Sequence, residues 1–203
     1  MIKAVVFDVG GVLLRLDESK YYTHISNISG VSYDDVRKTL HSLEKYSYAG
    51  KMGAKEFSSA VASKLGIKKK EVGWLDFVKN NASVDKEVSE LAFQLHSRYI
   101  TGILTNADRS RYRYVVAHFK KEMHIDSFDY RFASCYMGII KPSKRIFKYV
   151  VKHIGVVPGE VIFIDDHKEN VDGARSIGMN SILFNNLHDN VNYLRAQIEK
   201  FTK

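Results

Sequence analysis

The chain has 203 residues, 45% hydrophobic and 27% charged, with one cysteine and a formal net charge of +8. That balance fits one globular domain, or one with a modest insertion, and excludes a disordered chain. The lone Cys135 excludes an intramolecular disulfide and a cysteine-based zinc site, and no apolar run approaches the roughly 20 residues that cross a bilayer.

Met1-Ile2-Lys3 lead straight into AVVFD (residues 4–8), an apolar stretch predicted as a buried strand and closed by Gly10-Gly11. This end has no basic leader and no cleavage pattern, so a cytoplasmic location is expected. Between Glu18 and Asn80 the rhythm changes. YYTHISNI, SYDDVRKTLHSLEKY, AKEFSSAVASKLG and KKEVGWLDFVKN each repeat apolar residues at three- and four-residue intervals, which predicts about four helices and no strand. Ser32 followed by Asp35 has the form of a capping box, and Gly66 that of a helix stop. Tyr21, Tyr22 and Trp74 are expected to pack these helices together. Lys68-Lys69-Lys70 and the looser set Arg109, Arg111 and Arg113 read as solvated faces.

From Val84 onward helices and apolar strands alternate. Helix VDKEVSELAFQLHSR leads to strand YITGILTN, and helix RSRYRYVVAHFKKEM to an extended stretch near FDYRFASCY. Helix SKRIFKYVVKHIG precedes strand EVIFIDD, helix KENVDGARSIG precedes strand NSILF, and a last helix covers about Asp189 to Phe201. Alternation of this kind predicts an α/β fold, a doubly wound parallel sheet with helices on both faces. Residues 1–15 and 84–203 would form this core, and residues 16–83 a small all-helical cap inserted after the first strand.

Open parallel sheets bind ligands beyond the carboxyl ends of their strands. Three predicted strands end there in polar residues: Asp8, Thr105-Asn106 and Asp165-Asp166. Adjacent carboxylates repel and resist desolvation, so a buried strand gains nothing from them. An N-cap role accounts for one such aspartate. A bound Mg²⁺ with a substrate phosphate completing its shell accounts for all three. Lys141, held out of a helix by Pro142, is placed to neutralise such a cluster.

Taken together, these pieces resemble the haloacid dehalogenase superfamily, in particular its phosphatase-like members with a helical cap after the first strand. FDVGGVL, ILTN, IIKPS and IDDHKENVDGA match its four motifs in order. The resemblance implies that Asp8 attacks phosphorus and forms an aspartyl-phosphate. It implies Mg²⁺ on Asp8, Asp166 and the backbone carbonyl of Gly10. Gly10, Gly11, Thr105, the amide of Asn106 and Lys141 would hold the phosphoryl group, while Asp165 and Asn170 orient Lys141 and the metal shell. The expected ligand is a small phosphorylated metabolite.

One position departs from the pattern. The family usually carries a second aspartate, a general acid, where this chain has Gly10. General acid help is worth roughly 10² to 10⁴ in rate, so a bias toward good leaving groups is expected. Asp17 or His24 would be substitutes from the cap, although ordinary helix-cap and surface roles fit both. Tyr46, Tyr48 and Lys51, in or beside the loop SYAGKMGAKEF, are candidate cap contacts to substrate. Three other readings stay open: a weakly catalytic or non-catalytic binder of phosphorylated ligands or nucleic acid, which the positive charge would suit, a carbon–halogen hydrolase and a carbon–phosphorus hydrolase. Monomer and homodimer are both compatible with the sequence.

Overall fold

The computed structural model describes residues 1–202. Five parallel strands form one sheet in the order β5-β4-β1-β6-β7. They are β1 (Ala4–Phe7), β4 (Ile100–Thr105), β5 (Tyr130–Ala133), β6 (Val161–Asp165) and β7 (Asn180–Leu183). β1 is central, with Phe7 opposite Ile103 on one side and Ile164 on the other. The chain leaves β1 for β4 and β5, then returns past it to β6 and β7, so strand order reverses around β1. A crevice opens at such a reversal, beyond the strand ends.

Alternation along β1 divides the core. Val5 and Phe7 join one apolar cluster with Val88 and Leu91 of α5 (Lys86–His96) and Leu194 and Ile198 of α10 (Val191–Thr202). Ala4 and Val6 join the other, with Phe147 and Val150 of α8 (Lys144–Ile154) and Ala174 of α9 (Lys168–Arg175). Both faces are therefore covered, which is why these strands read as continuous apolar runs. Each fully buried side chain of this size contributes about 1.5–3 kcal/mol. No helix of the described residues is long and apolar enough to cross a membrane.

Four helices lie between Glu18 and Asn81: α1 (Glu18–Ser29), α2 (Tyr33–Tyr48), α3 (Ala54–Leu65) and α4 (Trp74–Asn81). They bury their own cluster, including Tyr21, Tyr22, Ile25, Leu40, Val61 and Trp74. Tyr21 and Trp74 meet edge to face at 4.5 Å, as expected of helix-packing aromatics. Ser32 Oγ accepts from the Asp35 amide and donates to its carboxylate, so the α2 cap lies where the sequence places it. The expected helix over KKEVGWLDFVKN is broken. A 3₁₀ turn at Lys69–Glu71 stops before Gly73, whose φ of 36° is left-handed, and α4 starts only at Trp74.

Two short strands went unpredicted. β2 (Leu14–Arg15) and β3 (Ser83–Val84) pair antiparallel where the chain enters and leaves the helical segment. Two residues each are too few for a periodic signal. Asp85 strengthens the junction by capping α5 at the Val88 amide while its other oxygen accepts from Arg15 Nε and Nη2 at 2.9 and 2.8 Å. The helix expected to run to Met123 ends earlier: α6 covers Arg109–Phe119. A four-residue helix, α7 (Ser134–Met137), follows β5 and contains the buried Cys135.

Candidate active site

The crevice beyond β1, β4 and β6 collects the polar strand ends. Asp8 follows β1, with its amide donating to the Ile164 carbonyl at 2.8 Å and its Oδ1 accepting from the Val9 amide at 2.7 Å. The chain then doubles back, with the Leu13 and Leu14 amides both donating to the Val9 carbonyl. Gly11, at φ +70°, sits so close to Asp166 that an added Cβ would lie 2.3 Å from Asp166 Oδ2. A Cβ at Gly10 would meet nothing within 4 Å. Asn186, beyond β7, ties this turn down by donating from its backbone amide to Gly11 O and from Nδ2 to Val12 O, each at 2.8 Å.

Lys141 reaches the same point from the loop before α8, where Ser143 caps the helix. Its ammonium lies 2.9 Å from Asp8 Oδ2, 2.6 Å from Asp165 Oδ2 and 2.9 Å from the Leu104 carbonyl. Those contacts use its three donors. Asp165, fully buried at the end of β6, also accepts from the His167 amide and from Asn170 Nδ2, both at 2.9 Å. Asn106 clamps the Lys141 backbone: its Nδ2 donates to Lys141 O at 3.0 Å and its Oδ1 accepts from Lys141 N at 2.9 Å. This side-chain role was not read from the sequence, where only the Asn106 amide was considered. Thr105 closes β4 and is buried.

Asp8, Asp165 and Asp166 each offer an oxygen within 4.8 Å of the others. Burial, reinforced by Asp165 and Asp166 and opposed by Lys141, pushes the Asp8 carboxyl up to about 7. Burial likewise lifts Asp166 to about 6, against the pull of His167. Burial pulls Lys141 down, but Asp165 and Asp8 outweigh it and carry the ammonium above its ordinary value. The cluster therefore holds more negative charge than Lys141 neutralises. Asp165 is already committed to Lys141, His167 and Asn170, whereas Asp166 Oδ1 is buried without a hydrogen-bond partner. Its nearest basic group is His167 Nε2 at 3.8 Å; hard oxygen donors, one of them free of hydrogen bonds, fit a divalent cation such as Mg²⁺.

The candidate contacts from the helical segment divide. Tyr48 faces the core, where its hydroxyl accepts from Arg111 and its carbonyl accepts from Ser134 Oγ at 2.7 Å. Tyr46 and Lys51 instead open onto a groove between α2, α3 and residues 138–143. Asp17 caps α1, accepting from the Ser19 amide at 3.0 Å, and His24 is exposed on α1. The neighbouring Glu18 is half-buried and accepts from the Tyr22 hydroxyl at 2.9 Å.

Arg111 corrects the reading of the arginine set as solvated. Arg109 and Arg113 are exposed, but the Arg111 side chain is only 10% exposed. It leaves α6, pairs with Asp108 at 3.0 Å and Glu44 at 3.2 Å, and lies 4.0 Å over the Trp74 ring. Nothing local in the sequence marks it, because Glu44 and Trp74 are distant in the chain. Asn186 had a signal, since it too follows a strand ending at this edge.

Residues 2–178 match the family model of haloacid dehalogenase-like hydrolases. A D-ribitol-5-phosphate phosphatase of Bacteroides thetaiotaomicron is 26% identical over 193 residues, covering 88% of this chain and 89% of that protein. Bifunctional epoxide hydrolase 2 of Rattus norvegicus is 34% identical over 123 residues; the match takes in 59% of this chain and 21% of that longer protein. The solved HAD family enzyme bt-2542 of Bacteroides thetaiotaomicron superposes with a TM-score of 0.79 at 22% identity, over 96% of this chain and 98% of that one. It has also been solved with magnesium and inorganic phosphate. At that identity the likeness shows a shared fold. With the family model spanning most of the chain, this protein belongs to the haloacid dehalogenase-like hydrolases.

Proposed function

We propose that the chain is a Mg²⁺-dependent phosphatase of a small phosphorylated metabolite, with Asp8 as nucleophile, residues 1–15 and 84–203 as its catalytic core and residues 16–83 as its cap. The observation that carries this reading is the Asp8 carboxylate held by Lys141 with Asp165 and Asp166 beside it, all within 4.8 Å. The phosphatase name of a relative covering most of the chain supports it.

In this reading an Asp8 oxygen attacks phosphorus, the ester oxygen departs with its electron pair, and water then cleaves the aspartyl-phosphate to return Asp8 and release phosphate. Asp8 and Asp166, with the Gly10 carbonyl, would hold Mg²⁺, which when bound offsets the charge of the phosphoryl oxygens. Thr105 and the amides of Gly10 and Asn106 would contact the phosphoryl group. The Gly11 amide, expected there from the sequence, instead donates to the Leu14 carbonyl at 2.9 Å, and Lys141 would have to turn one of its three donors from its present partners to a phosphoryl oxygen. Asp165 keeps the Lys141 ammonium in place, Asn170 keeps Asp165 in place, and the Asn106 side chain fixes the loop that delivers Lys141. Catalysis on such a frame is positioning and charge neutralisation.

Gly10 contributes no acid, so rates should rise steeply as the leaving group improves across aryl, acyl and anomeric phosphates. A series of phosphate esters with no dependence on leaving-group pKa would remove that part. The central test is p-nitrophenyl phosphate hydrolysis with Mg²⁺, with chelator, and by Asp8→Asn. Turnover requiring both metal and Asp8 is expected; turnover that survives either loss overturns the proposal.

A further inference from the structure

Helix α2 faces two places. Glu44 and Tyr48 turn toward Arg111. Leu43, Lys45 and Tyr46 instead border a groove of about 740 Å³ between the cap and the 138–143 segment. Small-molecule sites occupy roughly 300–1,000 Å³. None of Asp8, Thr105, Lys141, Asp165 or Asp166 lines the groove, although Ile140 and Ser143 on either side of Lys141 do.

Its chemistry is one-sided. Lys45, Lys51 and Lys64 come to it from α2, the loop after α2, and α3, and its lining has no aspartate or glutamate. Among the described residues none of these lysines has a carboxylate partner. Between them, Leu43, Ile139 and Ile140 supply apolar surface, and Tyr46 is 56% exposed. No lining residue belongs to a strand, so the groove has no sheet edge on which an extended peptide could pair.

We propose that this groove binds a nucleotide, its planar base against Tyr46 and the isoleucine surface and its phosphates toward the three lysines. Charge complementarity selects the anion. The apolar floor and exposed ring select a flat body, because stacking on an aromatic face tolerates any base. The assignment does not depend on Asp8 being a nucleophile.

The test is calorimetric titration of the full chain with adenosine diphosphate, adenosine and inorganic pyrophosphate. Adenosine diphosphate should bind at least about tenfold more tightly than either fragment, and more weakly as salt screens the lysines. Lys45→Glu with Lys64→Glu should weaken it by at least about tenfold, with an unchanged circular dichroism melt. If that double variant misfolds, Tyr46→Ala and Lys64→Gln take its place. Tyr46→Ala should weaken adenosine diphosphate and leave pyrophosphate alone. No binding of adenosine diphosphate, binding indifferent to these substitutions, or pyrophosphate bound equally tightly overturns the proposal. Binding lost in Asp8→Asn but kept in the lysine variants lies at the carboxylate cluster and overturns it too.

Discussion

Lys141 Nζ lies 2.6 Å from Asp165 Oδ2, and neither side chain has any exposure to solvent. A buried charge is tolerable only while its partners remain. Lys141→Ala should therefore strand Asp165 and Asp8 as unpaired buried carboxylates, at about 3–5 kcal/mol of stability. Urea denaturation measures this. A loss below about 1 kcal/mol, the range of an exposed pair, would contradict it.

The two glycines after Asp8 should behave oppositely. At Gly11 a side chain meets Asp166 at 2.3 Å with φ at +70°, so Gly11→Ala should displace Asp166 and lower both stability and Mg²⁺ affinity. Gly10 has open space around its Cβ, so Gly10→Ala should fold with a melting temperature near that of the parent. Gly10→Asp should raise turnover of alkyl phosphates by up to about 10² or more while changing aryl phosphates little. Equal melting temperatures for Gly10→Ala and Gly11→Ala would show that the Asp166 contact is unimportant.

Arg111 joins α6 to the helices between Glu18 and Asn81 through Asp108, Glu44 and the Trp74 face. Arg111→Ala leaves Glu44 buried without its cation and removes the ring contact, a loss of about 2–4 kcal/mol. Adding Glu44→Gln should recover part of it, because the stranded charge is gone. Additive losses in that double-mutant cycle would argue against a coupled pair.

Glu18 gives a pH signature on the helical side of the carboxylate cluster, whose Asp166 and His167 feel its charge. Burial, joined by Glu44, raises its carboxyl above the ordinary 4.5, with Arg111 opposing. Through this group the folded chain binds more protons than the unfolded one. Its contribution is thus full below about pH 4.5 and is lost as pH rises through the raised value. Glu18→Gln should gain on the parent in urea stability as pH climbs from about 4.5 toward neutrality. A difference that stays flat or shrinks over that range would count against the shift.

The placement of Asp8, Thr105, Asp165 and Asp166 at strand ends was legible because each follows a short apolar run, and parallel strands bring those ends to one edge. Lys141 was legible through Pro142, which keeps it out of α8. The break at Gly73 was not, since the apolar spacing of KKEVGWLDFVKN continues across it and only backbone conformation interrupts the helix. Nor was the β2–β3 pairing, whose partners are separated by the whole helical segment.

By itself, the sequence determined what is local and periodic: the alternation of helix and strand, the helical segment after β1, the caps at Ser32 and Gly66, and which strands end in polar residues. Tertiary structure decided what depends on distant partners meeting. It set Asn106 as a clamp on Lys141, committed Asp165 to Lys141 and left Asp166 Oδ1 without a hydrogen bond, facing His167 Nε2 at 3.8 Å. It also drew Arg111 from an apparent solvent face against Glu44 and Trp74 and turned Tyr46 and Lys51 toward a groove that none of the clustered carboxylates lines. The physical reason is that patterning reports which face of an element avoids water, whereas charge pairing and desolvation depend on what the fold carries to that face.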